Sequence, residues 1–81
     1  MLLPTKHIRI ERSLLGVGAD ILHLLDEPKT VSRLWDDFQE LRGRMTMRRV
    51  TFDRFTLAIA LLFSLNTLEF KRGRLLRVDA Q

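Results

Sequence analysis

The chain has no cysteine. This excludes the disulfide staples of small secreted domains and every cysteine-based zinc finger. Tyrosine is also missing, and histidine occurs only as His7 and His23, on different segments. Long apolar runs are absent. The most apolar stretch, residues 57–65, is interrupted by Ser64, whereas a membrane helix needs about 20 residues. The first residues, Met1-Leu2-Leu3-Pro4-Thr5-Lys6, lack the apolar run of a signal peptide. A soluble, cytoplasmic protein without membrane contact is therefore expected.

What is present fits one small globular domain spanning residues 1–81. The chain has 81 residues, 46% hydrophobic and 30% charged, which is a folded rather than a disordered balance. A chain of this size buries only about 60% of its unfolded surface and is marginal alone, so a partner would help it. Fourteen basic against ten acidic residues give a net charge of +4. All the basic residues except Lys6, Lys29 and Lys71 are arginine, the better side chain for bidentate contacts to carboxylate or phosphate. That excess suits nucleic acid or an acidic protein surface and does not separate them.

Residues 1–10 contain Pro4, Thr5, Ile8 and Ile10 and read as an extended arm with one edge strand at most. A three-helix core follows over 11–65. Leu14, Val17, Ile21, Leu24 and Leu25 set a helical stripe over about 11–25. Leu15 and Leu22 widen its apolar surface. Gly16 and Gly18 cost roughly 1 kcal/mol each inside a helix, and Gly18 reads as the place where another backbone comes close. Pro28 ends this helix. Thr30 caps a second, about 31–42, with Val31, Leu34, Phe38 and Leu41 inward, Trp35 beside them, and Asp36, Asp37, Gln39 and Glu40 outward.

The basic connector 43–50 leads to Val50, which has room to add a short strand. Thr51 caps a third helix, 52–65, closed by Asn66 in a left-handed conformation. A hairpin over 66–79 ends the chain, with Arg72-Gly73-Arg74 at its tip. A two-residue Arg-Gly turn pairs Phe70 with Leu75. A three-residue loop instead puts Leu68, Phe70, Leu76 and Val78 on one face, and burial favours that register. The expected fold is mainly α with a small β-hairpin (α+β). Three helices followed by a two-stranded wing make it winged-helix-like.

Little of this chemistry is catalytic. Asp20, His23, Asp26 and Glu27 have the crude spacing of a metal site at the end of a helix. A solvated face explains them equally well, and ligation needs three or four converging groups. No serine has a histidine beside it, and Asp36 and Asp37 point in different directions around a helix. The sequence holds no Walker motif and no nuclease carboxylate cluster. A protein without catalytic residues, metal or cofactor is expected.

The basic residues divide between the connector, with Arg44, Arg48 and Arg49, and the hairpin, with Lys71, Arg72, Arg74 and Arg77. These are candidates for contact with nucleic acid or an acidic surface through charge. The third helix makes a poor reading head for DNA. After Arg54 it carries no residue able to make a bidentate contact to a base. It is apolar around most of its circumference, and the first helix nearly so. Surplus apolar surface marks an interface. The candidate interface residues are Leu15, Leu22, Thr56, Leu57, Ala60, Phe63 and Ser64. Self-association of the isolated chain is expected from the same surplus.

Leu3-Pro4-Thr5-Lys6-His7-Ile8, then Glu11-Arg12-Ser13-Leu14-Leu15-Gly16-Val17-Gly18, Leu34-Trp35, and Phe52-Asp53-Arg54-Phe55 before the Leu-rich helix and the Gly73 hairpin resemble a family that spans nearly the whole chain. It is the short middle components of bacterial ABC three-component systems, which include Lamassu-type phage-defence operons. The resemblance rests on overall pattern, without a catalytic signature. It implies a non-catalytic subunit beside an SMC-like ATPase and an effector, with ATP chemistry and cleavage left to those partners, while the charge of the wing itself leaves non-specific DNA contact open. It transfers no functional residue. A solitary winged-helix DNA-binding regulator is the alternative that the residues alone leave open.

Overall fold

The structure, a computed structural model, describes residues 5–45 and 49–78, with the side chains of 12–45 and 49–78. In chain order, α1 is Thr5–Leu24, α2 is Val31–Arg44, α3 is Phe52–Ser64, β1 is Leu68–Lys71 and β2 is Arg74–Arg77. The winged-helix-like order of three helices and a two-stranded hairpin is as expected from the sequence.

The first correction concerns the N-terminal arm. Residues 5–10 are helical rather than extended, and residues 1–4 lie outside the described residues. Ile10 stands four residues before Leu14, so the apolar stripe of α1 runs back past position 11 without a break. Lys6, Arg9, Glu11 and Arg12 are good helix formers, and β-branched residues cost only tenths of a kcal/mol each in a helix. A proline just before the first helical residue removes no intrahelical hydrogen bond.

The helix starts follow their caps. Thr30 and Thr51 have extended backbones, and each side-chain oxygen accepts from the backbone N–H three residues on, Arg33 and Arg54, at 3.2 Å. Beyond the expected end, α2 continues two residues through Gly43 to Arg44. Asn66 closes α3 at φ 58°, as its side chain allows.

The core is one cluster drawn from all five elements. Val17 and Ile21 of α1, Leu34 and Phe38 of α2, Phe55, Ala58 and Leu62 of α3, and Leu68 and Leu75 of the hairpin are buried. Trp35 packs its ring 4.8 Å from that of Phe55, and Phe38 and Phe55 lie 5.1 Å apart, which locks α2 to α3. Gly18 does mark a close approach, but to a side chain rather than to a backbone. A Cβ there would stand 3.2 Å from the Leu62 Cδ2 atom.

The hairpin adopts the register that sequence reasoning disfavoured. Phe70 pairs with Leu75 and Lys71 with Arg74, across a two-residue Arg72-Gly73 turn. Both turn residues have positive φ, 53° and 77°, the primed geometry whose twist matches the strands. Burial drives the core contact through Leu68 and Leu75 alone and leaves Phe70 57% exposed. Contacts outside the hairpin hold this register. Lys29, between α1 and α2, exchanges both backbone hydrogen bonds with Leu75, at 3.0 and 2.7 Å. The short extra strand position is therefore at Lys29, not Val50, which packs against the core without pairing. β2 is thus central, between β1 and the Lys29 bridge. The Lys29 Nζ atom goes on to donate to Asp37 of α2 at 2.8 Å, so one residue joins wing, connector and helix.

Candidate functional site

The third helix stands between the core and the outside with apolar residues on both sides. Its inner face, Phe55, Ala58, Ile59 and Leu62, is buried. Its outer face carries Leu57, 56% exposed, with Ala60 and Phe63 also exposed. Spacing of i, i+3 and i+6 or i+7 places Leu57, Ala60, Phe63 and Ser64 together. Two hydroxyls interrupt this surface, and both turn back to the helix. Thr56 Oγ1 donates to the Asp53 carbonyl at 2.9 Å and Ser64 Oγ to the Leu61 carbonyl at 2.7 Å. Each hydroxyl proton is thereby taken by the main chain. After Arg54, this face offers no donor to a base edge. A helix shaped to read the major groove would present Arg, Asn, Gln or Lys there.

The remaining interface candidates fall as follows. On α1, Leu15 is 56% exposed, with exposed Ala19 four residues on. Leu22 is half-buried and spends part of its surface against the core. Leu65, just past α3, is 53% exposed and continues the line from Leu57 at i+8. It was absent from the sequence-based selection, although its spacing gave the signal.

The basic candidates separate into groups with different freedom. Arg44 is held by Glu40 one helical turn back, at 2.9 Å, and is not a free cation for a partner. Arg48 lies outside the described residues. Arg49, Lys71, Arg72, Arg74 and Arg77 are exposed. No ion pair to these five is present among the described residues, so the wing presents uncompensated charge. Sequence reasoning missed Arg12 and Arg54, which the fold brings to one cleft with Arg49. Forty-two positions separate the first two, and no local pattern announces their meeting.

Two of the four residues with metal-like spacing have ion-pair partners elsewhere. Asp20 pairs with Arg42 at 3.2 Å and Asp26 lies 3.7 Å from Lys29. Among the described residues, no group of three or more His, Asp and Glu side chains converges as a metal site would require. Among the described residues, the carboxyl clearly displaced from its ordinary value of 3.8 is Asp37, held lower chiefly by the hydrogen bond from Lys29, with the charges of Lys29 and Arg33 adding to it against partial burial. That is a structural link rather than a reactive pair. No helix among the described residues is long and apolar enough to cross a membrane.

No curated protein and no solved structure matches the chain. One family model does, over residues 3–78, and so takes in all three helices and the hairpin. With that match over nearly its full length, the chain belongs to the ABC-three component (ABC-3C) system Middle Component 6 family.

Proposed function

We propose that this protein is a non-catalytic interaction subunit that links an SMC-like ABC ATPase to an effector in an anti-phage defence complex of the bacterial cytoplasm. The outward face of α3 is its docking surface. The observation that carries this reading is that face itself: Leu57, Ala60 and Phe63 outward, with the Thr56 and Ser64 hydroxyls consumed by the helix. Membership of a middle-component family supports it, because a component of a three-component system has partners by definition. No catalytic residue and no cofactor is assigned. ATP hydrolysis and cleavage belong to the other components.

A second reading, a small winged-helix DNA-binding regulator, draws on the uncompensated wing charges Lys71, Arg72, Arg74 and Arg77. The lack of base-reading side chains on α3 after Arg54 weighs against it. Within the preferred reading, those charges act on nucleic-acid phosphate or an acidic partner surface without reading sequence.

The test is co-purification with the products of the neighbouring genes, using wild type and Ala60→Glu. Ala60 is exposed, so the variant is expected to fold, while an unpaired charge in a dry interface costs several kcal/mol. Loss of the partners from a folded variant supports the docking face. A folded variant that assembles normally refutes the assignment of this face.

A further inference from the structure

We infer that the cleft between α1, the end of α2 and the start of α3 is a phosphate-binding site, independent of the α3 docking face. The cleft has a volume of about 500 Å³, within the roughly 300–1,000 Å³ usual for small-ligand sites. Arg12, Arg49 and Arg54 line it, from α1, the connector and α3. No ion pair to any of the three is present among the described residues. Three arginines lining one concavity give it a positive potential that an anion would relieve. Arginine's fork of N–H donors suits the oxygens of a phosphate.

The rest of the lining fits the same ligand. Gly16 forms bare floor: a Cβ there would meet nothing within 4 Å, so main chain is open to a bulky anion. Thr51, the cap of α3, also lines the cleft, and the N-terminal end of that helix carries partial positive charge. The fourth arginine of the cleft, Arg42, is already engaged by Asp20 at 3.2 Å and lies over the Phe38 ring at 5.3 Å. It serves as wall rather than as ligand-binding cation. Asp53, the acidic residue of the first turn of α3, is exposed and does not line the cleft. The local field therefore favours an anion.

The experiment is a titration of the ¹⁵N-labelled protein followed by NMR, with inorganic phosphate, AMP, a short single-stranded DNA and a hexaglutamate peptide as separate probes. Saturable shifts of the Gly16, Thr51 and Arg54 amides with phosphate are expected. Tighter binding of AMP would assign the phosphate to a free nucleotide, and tighter binding of the oligonucleotide would assign it to a nucleic-acid strand. Arg12→Gln with Arg54→Gln should weaken phosphate at least tenfold, with helical content and melting unchanged. Arg12→Lys with Arg54→Lys should restore part of the loss, and neutralising Arg72 and Arg74 on the wing should leave it within twofold. Three results would overturn the proposal. They are shifts that spread over the surface without saturating, an unchanged affinity in the folded double glutamine variant, and hexaglutamate binding as tightly as phosphate at equal charge.

Discussion

The second and third helices begin alike and end alike, yet their outer faces have opposite characters. Both start at a threonine cap with the same hydrogen bond at 3.2 Å. Both bury an apolar inner face in the same cluster. Outward, α2 carries Asp36, Gln39 and Glu40, and it satisfies much of its own charge through Lys29–Asp37, Arg33–Asp37 and Glu40–Arg44 pairs. Outward, α3 carries Leu57, Ala60 and Phe63. Water solvates the first surface at no cost. The second loses free energy for every apolar area left in water, about 25 cal/mol per Å². A fold needs only one amphipathic stripe per helix. The second stripe on α3 exceeds that need, and this surplus is what supports the proposed docking role.

The two faces of α3 should respond in opposite ways to truncation. Phe55→Ala removes a fully buried ring and should cost about 3–5 kcal/mol, enough to unfold much of a small domain, as read by thermal melting. Leu57→Ser on the outer face should change the melting free energy of the isolated chain by less than about 0.5 kcal/mol. A large loss from Leu57→Ser would mean that this face is covered within the chain.

The caps sharpen the comparison by predicting sameness. Thr30→Ala and Thr51→Ala should each cost about 1 kcal/mol, measured by denaturant unfolding. Unequal costs would show that the helices differ in their starts as well as their faces.

The charge network of α2 gives a smaller, pH-dependent effect. Asp37 has its pKa lowered in the folded state by Lys29. A group with a lowered folded value adds stability above its unfolded value and loses it as pH falls through the folded one. Asp37→Asn should therefore cost about 0.5–1 kcal/mol at pH 7, and the gap to wild type should close below about pH 4. A gap that persists undiminished at pH 2 would remove the Lys29 link as its cause.

The wing should give the smallest effect. Neutralising Arg72, Arg74 and Arg77 should weaken DNA binding by the assembled complex similarly for all sequences and flatten its salt dependence by up to about three phosphate contacts. A strong sequence preference that disappears with these arginines would favour the regulator reading instead.

The legible parts of this fold are those fixed by local chemistry. Thr30, Thr51 and Asn66 act within a few residues of themselves, and each did what its side chain dictates. The inner stripes of α2 and α3 follow from spacing alone. The start of α1 was misread because three β-branched residues outweighed a continuing Ile10–Leu14 spacing. The hairpin register was misread because a count of apolar residues on one face ignored the contact of Leu75 with Lys29, forty-six positions away. Long-range pairing also hid the cleft of Arg12, Arg49 and Arg54. The outer face of α3 was legible, since a helix with Leu57, Ala60 and Phe63 opposite Phe55, Ala58 and Leu62 has more apolar surface than one small core can take.

The most direct measurement sets the two outer faces against each other. Affinity for the co-expressed partner component is measured for wild type, Ala60→Glu on α3 and Asp36→Lys on α2, with folding of all three checked by circular dichroism. An unpaired charge in a dry contact costs roughly 3 kcal/mol, about a hundredfold in affinity. The account predicts at least that loss for Ala60→Glu and a change within about threefold for Asp36→Lys. Full affinity in folded Ala60→Glu, with the loss falling on Asp36→Lys instead, would contradict it.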